Sequence, residues 1–145
     1  MSVDVNKAVV QRLYDDLFNR ARLAVADELV AVGCISHAAS PGTPAGPDGM
    51  RQAVALLRAA FPDGRYIIED LIGEDDRVAA RLLFRGMHRG PFRGIAPTGR
   101  RVAQAQVHLL RLAGGRVAEH WALRDDLGLL EQLGGRPAHT PVSAP

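Results

Sequence analysis

The stretch AQAQVHLLRLAGGRVAEHWALRDD, Ala103 to Asp126, decides how this chain folds. Two runs of alternating polar and aliphatic residues flank Gly114-Gly115, and a Gly-Gly pair in that setting predicts a two-residue β-hairpin turn. Counting outward from the turn sets His108 opposite Trp121, Gln106 opposite Leu123, Gln104 opposite Asp125 and Leu110 opposite Glu119. Side chains alternate along a strand, so these eight residues are expected on one face, which is large, polar and titratable. The other face is expected to hold Ala103, Ala105, Val107, Leu109, Ala118, His120 and Ala122, with Arg111 and Arg124. The first face suits a small-molecule pocket, where a few polar groups stand among apolar walls. The second suits burial against another protein surface.

Working outward, the region from Arg65 reads as β: RYIIEDLI, a turn at GEDD, RVAARLLFRGMH, a Gly/Pro loop, then the two strands of the hairpin. That makes four consecutive antiparallel strands. The N-terminal third is helical instead. Asp4 is expected to cap a first helix in which Val9/Val10, Leu13/Tyr14 and Leu17/Phe18 recur every four residues. Tyr14 therefore faces the core. A short second helix is expected near Leu23 to Val30, and an extended piece, CISHA, carries His37. Pro47 opens a third helix with Met50, Val54, Leu57 and Phe61 as its buried stripe, ended by Pro62. Asp126 to Leu133 closes the domain as a short helix. Helices first and a strand meander afterwards indicate an α+β domain, with the helices gathered on one face of the sheet.

A chain of 145 residues with 47% apolar and 23% charged residues has room for one domain, placed at 1–135, with 136–145 read as a disordered tail. No apolar run reaches the ~20 residues that span a bilayer, and the first residues lack a signal peptide's pattern. The expected address is the cytoplasm, with no membrane partner. The net charge of +2 is spread among interleaved acids and bases, so no nucleic acid is expected. Cys34 is alone, and no HxH or HExxH pair occurs, so no metal is expected. No GxSxG elbow or phosphate-binding glycine loop joins a strand to a helix. On pattern alone Asp125 has two readings: a pocket carboxylate, or a cap on the closing helix, a role open to Asp126 as well. His108, His88 and His37 are likewise either hydrogen-bonded core histidines or pocket groups, and Trp121 is either core or a substrate platform.

Taken together, FPD, G-x-H-x-G-x-F-x-G, PTGR, E-x-W-x-x-x-D and QLG make the chain resemble the SnoaL-like polyketide cyclases, or ester cyclases, of the NTF2-like superfamily, from about Asn6 to Gly134. The resemblance implies a cone of curved antiparallel sheet with N-terminal helices enclosing a central pocket, and no cofactor. It implies Asp125 as acid/base, with His88, His108 and His37 among the pocket histidines. The chain departs from the family pattern at Met87 before His88 and at Ser36 before His37. The expected activity is an intramolecular aldol cyclisation of a polyketide-like ester, with Asp125, His108 and His88 catalytic. Trp121, Gln106, Gln104, Tyr14, His37, Glu119 and Phe61 are expected to contact substrate. Double-bond isomerisation and non-catalytic binding of an apolar metabolite are the alternatives. The aliphatic back face is expected to pair two copies into a homodimer.

Overall fold

The computed structural model describes residues 2–135; the tail expected at 136–145 lies outside the described residues. In chain order the elements are α1 (Val3–Arg12), a π-helical segment (Leu13–Asn19), a short 3-10 turn (Leu23–Val25), α2 (Ala26–Leu29), β1 (Val30–Ser36), α3 (Pro47–Ala60), β2 (Arg65–Glu74), β3 (Arg77–Met87), β4 (Arg101–Ala113), β5 (Arg116–Arg124) and α4 (Asp126–Gln132). The five strands form one sheet in the order β1-β5-β4-β3-β2. The four-strand antiparallel meander is as expected, and β1, grown from the CISHA segment, adds to β5 in parallel. The architecture is an α+β cone of the kind the resemblance implied.

The N-terminal helix is capped two residues earlier than expected. Ser2, not Asp4, accepts the Val5 N–H at 3.1 Å, which is the bond an N-cap hydroxyl makes. The apolar stripe is buried as its spacing demands: Val10, Leu13, Tyr14 and Leu17 are all at most 1% exposed. Between Leu13 and Asn19 the ladder loosens to five-residue spacing, with Arg20 N–H bonding the Asp15 carbonyl at 3.2 Å. Such wide turns are rare and recur beside functional sites. Asn19 then ties this segment to β2, giving and receiving bonds with the Tyr66 backbone at 2.9 and 2.7 Å.

The hairpin itself corrects the register. Gly114 and Gly115 take positive φ, 58° and 77°, as a tight two-residue turn requires, and Ala113 pairs with Arg116 and Leu112 with Val117. At Ala118 the pairing slips by one residue, so Arg111 meets Glu119, Leu109 meets Trp121 and His108 meets Ala122. This is a β-bulge, one extra residue on β5. Every side chain of β5 beyond it is reversed relative to the simple count. His108 and Trp121 therefore lie on opposite faces of the sheet. The concave face carries Val78, Leu110 and His120 in one row, Ala80, His108 and Ala122 in the next, and Leu82, Gln106 and Arg124 in a third. The convex face carries Ile72, Ala79, Leu109 and Trp121, then Asp70, Arg81, Val107 and Leu123.

The helices close over the concave face, and the core sits between. Leu110, fully buried on the central strand, is packed on by this layer. Leu110→Ala is expected to cost about 2–5 kcal/mol, as buried leucine truncations do, read as a lowered urea midpoint at unchanged slope.

Candidate functional site

Between the helices and the concave face lies a cavity of about 460 Å³, in the size range of small-molecule sites. Its apolar walls include Met50, Leu56, Leu57, Phe61 and Phe92, and its polar floor is set by β4, β5 and the end of β1. Gln104, Gln106 and His108 project into it at every second position of β4 and are each at most 4% exposed. Tyr14 arrives from the π-helical segment. Its hydroxyl lies 2.7 Å from His108 Nδ1, and its ring packs edge-on against Tyr66 with centroids 5.2 Å apart.

The polar groups form one connected chain. His108 Nδ1 is also 2.8 Å from His120 Nε2, and His120 Nδ1 is 2.7 Å from the Ser36 hydroxyl. On the other side His108 Nε2 is 2.7 Å from Gln106 Oε1, Gln106 Nε2 donates to Gln104 Oε1 at 2.9 Å, and Gln104 Nε2 donates to Asp126 Oδ1 at 3.2 Å. Arg124 also lines the cavity, and among the described residues no carboxylate does. Burial, the neighbouring His120 ring and the Arg124 cation push the His108 imidazole down to about 2. Burial first, then Arg124 and His37, brings His120 down to about 4. Burial raises the Tyr14 phenol well above its ordinary value and carries Tyr66 up to about 12. At neutral pH the floor thus holds neutral imidazoles, phenols and amides beside one cation.

The structure divides the residues expected to form the pocket. Tyr14, Phe61, Gln104, Gln106 and His108 do line it. Trp121, Glu119 and His37 do not: the bulge at Ala118 turns Trp121 and Glu119 to the convex face, and His37, just past the end of β1, joins them. There His37 stacks on Trp121 with centroids 5.0 Å apart and bonds Glu119 at 2.7 Å. Glu119 also accepts from Arg111 at 3.1 Å, and its carboxyl is held below the usual range by the His37 and Arg111 bonds. Asp125 is exposed and caps α4, accepting the Gly128 N–H at 2.9 Å; it does not line the cavity. His88 is fully buried outside the lining. Its Nδ1 accepts the Thr98 N–H at 3.2 Å, which anchors the loop carrying Phe92 and Arg93. In place of these, the cavity holds Ser36, His120 and Arg124. The simple hairpin count had put His120 and Arg124 on the back, and only the bulge reverses them.

The neutral imidazoles make stability pH-dependent. Their folded-state values of about 4 and about 2 lie below the ordinary 6.5, so the unfolded chain takes up these protons first as pH falls. Their contribution is complete above pH 6.5. It is expected to fall from there toward pH 4 with both groups acting, and below 4 with His108 alone. The slope is at most about 1.4 kcal/mol per pH unit for each group. Urea midpoints across this range should show a shallower slope between pH 6.5 and 4 in His120→Gln.

The profile of the SnoaL-like polyketide cyclases matches residues 8–133. The nogalonic acid methyl ester cyclase of Streptomyces nogalater is 34% identical over 119 residues, covering 81% of this chain and 89% of that protein. The aklanonic acid methyl ester cyclase DauD of Streptomyces sp. strain C5 is 36% identical over 99 residues, covering 66% of this chain; the match spans 60% of that relative's length. Among solved structures, TsrD from Streptomyces laurentii superposes with a TM-score of 0.80 at 30% identity, covering 89% of this chain and 97% of that one.

Proposed function

The chain belongs to the SnoaL-like polyketide cyclase family, and on that premise we propose that it closes a ring in a polyketide methyl ester by intramolecular aldol addition, with His108 in place of Asp125 as acid/base. The observation that carries this reading is the buried Tyr14 hydroxyl 2.7 Å from His108 Nδ1, on a cavity floor with Arg124 and without a carboxylate among the described residues.

In this mechanism a carbon flanked by carbonyls loses its proton to His108 Nδ1. Tyr14 turns its O–H from that nitrogen to the carbonyl oxygen that becomes the enolate. Arg124 supplies the positive charge that the enolate needs. The imidazole is a weak base while the pocket is empty, because nothing there compensates an imidazolium. The forming enolate is that compensation, so the proton moves as the charge pair forms. The enolate carbon then attacks the second carbonyl, and the new alkoxide takes the proton back from His108. One C–H and one C=O are exchanged for one C–C and one O–H, with no net gain or loss of protons.

With aklanonic or nogalonic acid methyl ester as the assay substrate, His108→Ala is expected to lower kcat about 10²–10⁴-fold, and Tyr14→Phe about 10²-fold or more. Asp125→Asn is expected to leave kcat near that of the unaltered protein. Retained turnover in His108→Ala would overturn the assignment, and loss of turnover in a folded Asp125→Asn protein would return the proton to Asp125.

A separate observation supports a homodimer. On the convex face Ile72, Val107 and Leu123 are 67%, 51% and 82% exposed, in adjacent rows that also hold Ala79, Leu109 and Trp121. The helices cover the opposite face, and contiguous apolar surface of this kind is uncommon on a monomer. A second copy pairing about a two-fold axis is the proposed cover. Sedimentation at micromolar concentration is expected to give the mass of two chains, and of one chain in Leu123→Asp.

A further inference from the structure

The chain of amides under His108 ends on a group outside the cavity. Asp126 opens α4 and is half exposed; its Oδ1 accepts from Gln104 Nε2 at 3.2 Å and from Arg93 Nη1 at 3.1 Å. An ionised carboxylate can only accept hydrogen bonds. Gln104 must therefore turn its NH₂ toward Asp126 and its carbonyl oxygen toward Gln106. Gln106 in turn gives its NH₂ to Gln104 and its carbonyl oxygen to His108. A carbonyl oxygen beside Nε2 requires Nε2 to carry the hydrogen. A neutral His108 is then bare at Nδ1, the nitrogen that faces Tyr14 and His120.

We infer that Asp126 is a positioning residue, which acts through Gln104 and Gln106 to hold His108 in the tautomer with Nε2–H and an unprotonated Nδ1 that faces Tyr14 and His120. The inference rests on the reading of His108 as the base, and it assigns a task to a residue that does not touch the cavity. Arg93 steadies the carboxylate at the rim. The two glutamines carry direction, not charge: each amide passes on the polarity set at Asp126. When Nδ1 takes up a proton, the Gln106 oxygen is already in place to stabilise the Nε2–H of the imidazolium.

The test reads the tautomer directly, without substrate. Long-range ¹H–¹⁵N correlation spectra of the histidine rings, with His108 assigned by its loss in His108→Gln, should show Nε2 protonated and Nδ1 bare in the unaltered protein. In Asp126→Asn an amide stands where the obligate acceptor was, and the ratio of Nε2–H to Nδ1–H forms is expected to fall about 5- to 10-fold, the weight of one ordinary hydrogen bond. Moving the carboxylate one link inward, in the double variant Asp126→Asn with Gln104→Glu, restores an obligate acceptor for Gln106 and should restore the ratio. A general loss of packing would not be repaired by that exchange. An Nδ1–H tautomer in the unaltered protein would overturn the inference, as would a ratio unmoved in Asp126→Asn. The base assignment fails separately, if His108→Ala still turns over while the tautomer behaves as described.

Discussion

One residue of slack in one strand determines what the cavity contains. The turn at Gly114-Gly115 starts β4 and β5 in even register, and the bulge at Ala118 ends it six residues before β5 ends at Arg124. Because the side-chain period of a strand is two, one extra residue exchanges the faces. Val117 and His120, three apart, both point inward. The indole, the glutamate and Leu123 go out, and His120 and Arg124 come in. Bulges also add twist and bend to a strand, which is what a sheet must have to curve into a cone. The same local defect therefore gives the sheet shape and the floor chemistry.

Most of the fold was legible because it rests on periodicity. The stripe of α1, the Pro47 start of α3, the meander and the Gly-Gly turn all follow from spacing and from residues with strong local conformational preferences. On β4 the alternation Gln104, Gln106, His108 correctly predicted an inward polar ridge. On β5 two alternations were available, and either left one aromatic or histidine on each face. Nothing in VAEHW marks Ala118 as the extra residue. The decision is made by tertiary demands: β1 pairs with β5 through Ile35 and Ser36, and the sheet has to bend. The π-helical turn was illegible for a related reason, since widening one turn leaves Leu13, Tyr14 and Leu17 on the buried side.

Asp125 shows the limit of a motif. Two adjacent aspartates at a strand-to-helix junction can divide the work of capping and of reaching inward, and here Asp125 takes the Gly128 N–H while Asp126 takes the Gln104 amide. A motif records that a carboxylate stands there. It does not record which hydrogen bond that carboxylate makes. The resemblance correctly indicated the fold and the family, and the register determines which side chains the cavity offers to chemistry.

The contents of the cavity favour a particular kind of guest. Its floor is a buried array of neutral donors and acceptors with a single guanidinium, and the effects that depress both imidazoles are burial and positive charge. Arg93, which also lines the cavity, is paired with Asp126, so the floor itself is one negative charge short of balance. An apolar ketone satisfies the walls but leaves Arg124 without a counter-ion; the same ketone as its enolate satisfies both. In the proposed reaction the site is thus matched to the enolate charge more closely than to the neutral molecule that enters, a difference of the kind that lowers a barrier. A carboxylate lining the floor would cancel Arg124 in the resting protein and remove this preference. The bulge, by turning Glu119 out and Arg124 in, sets the sign of the pocket as well as its shape.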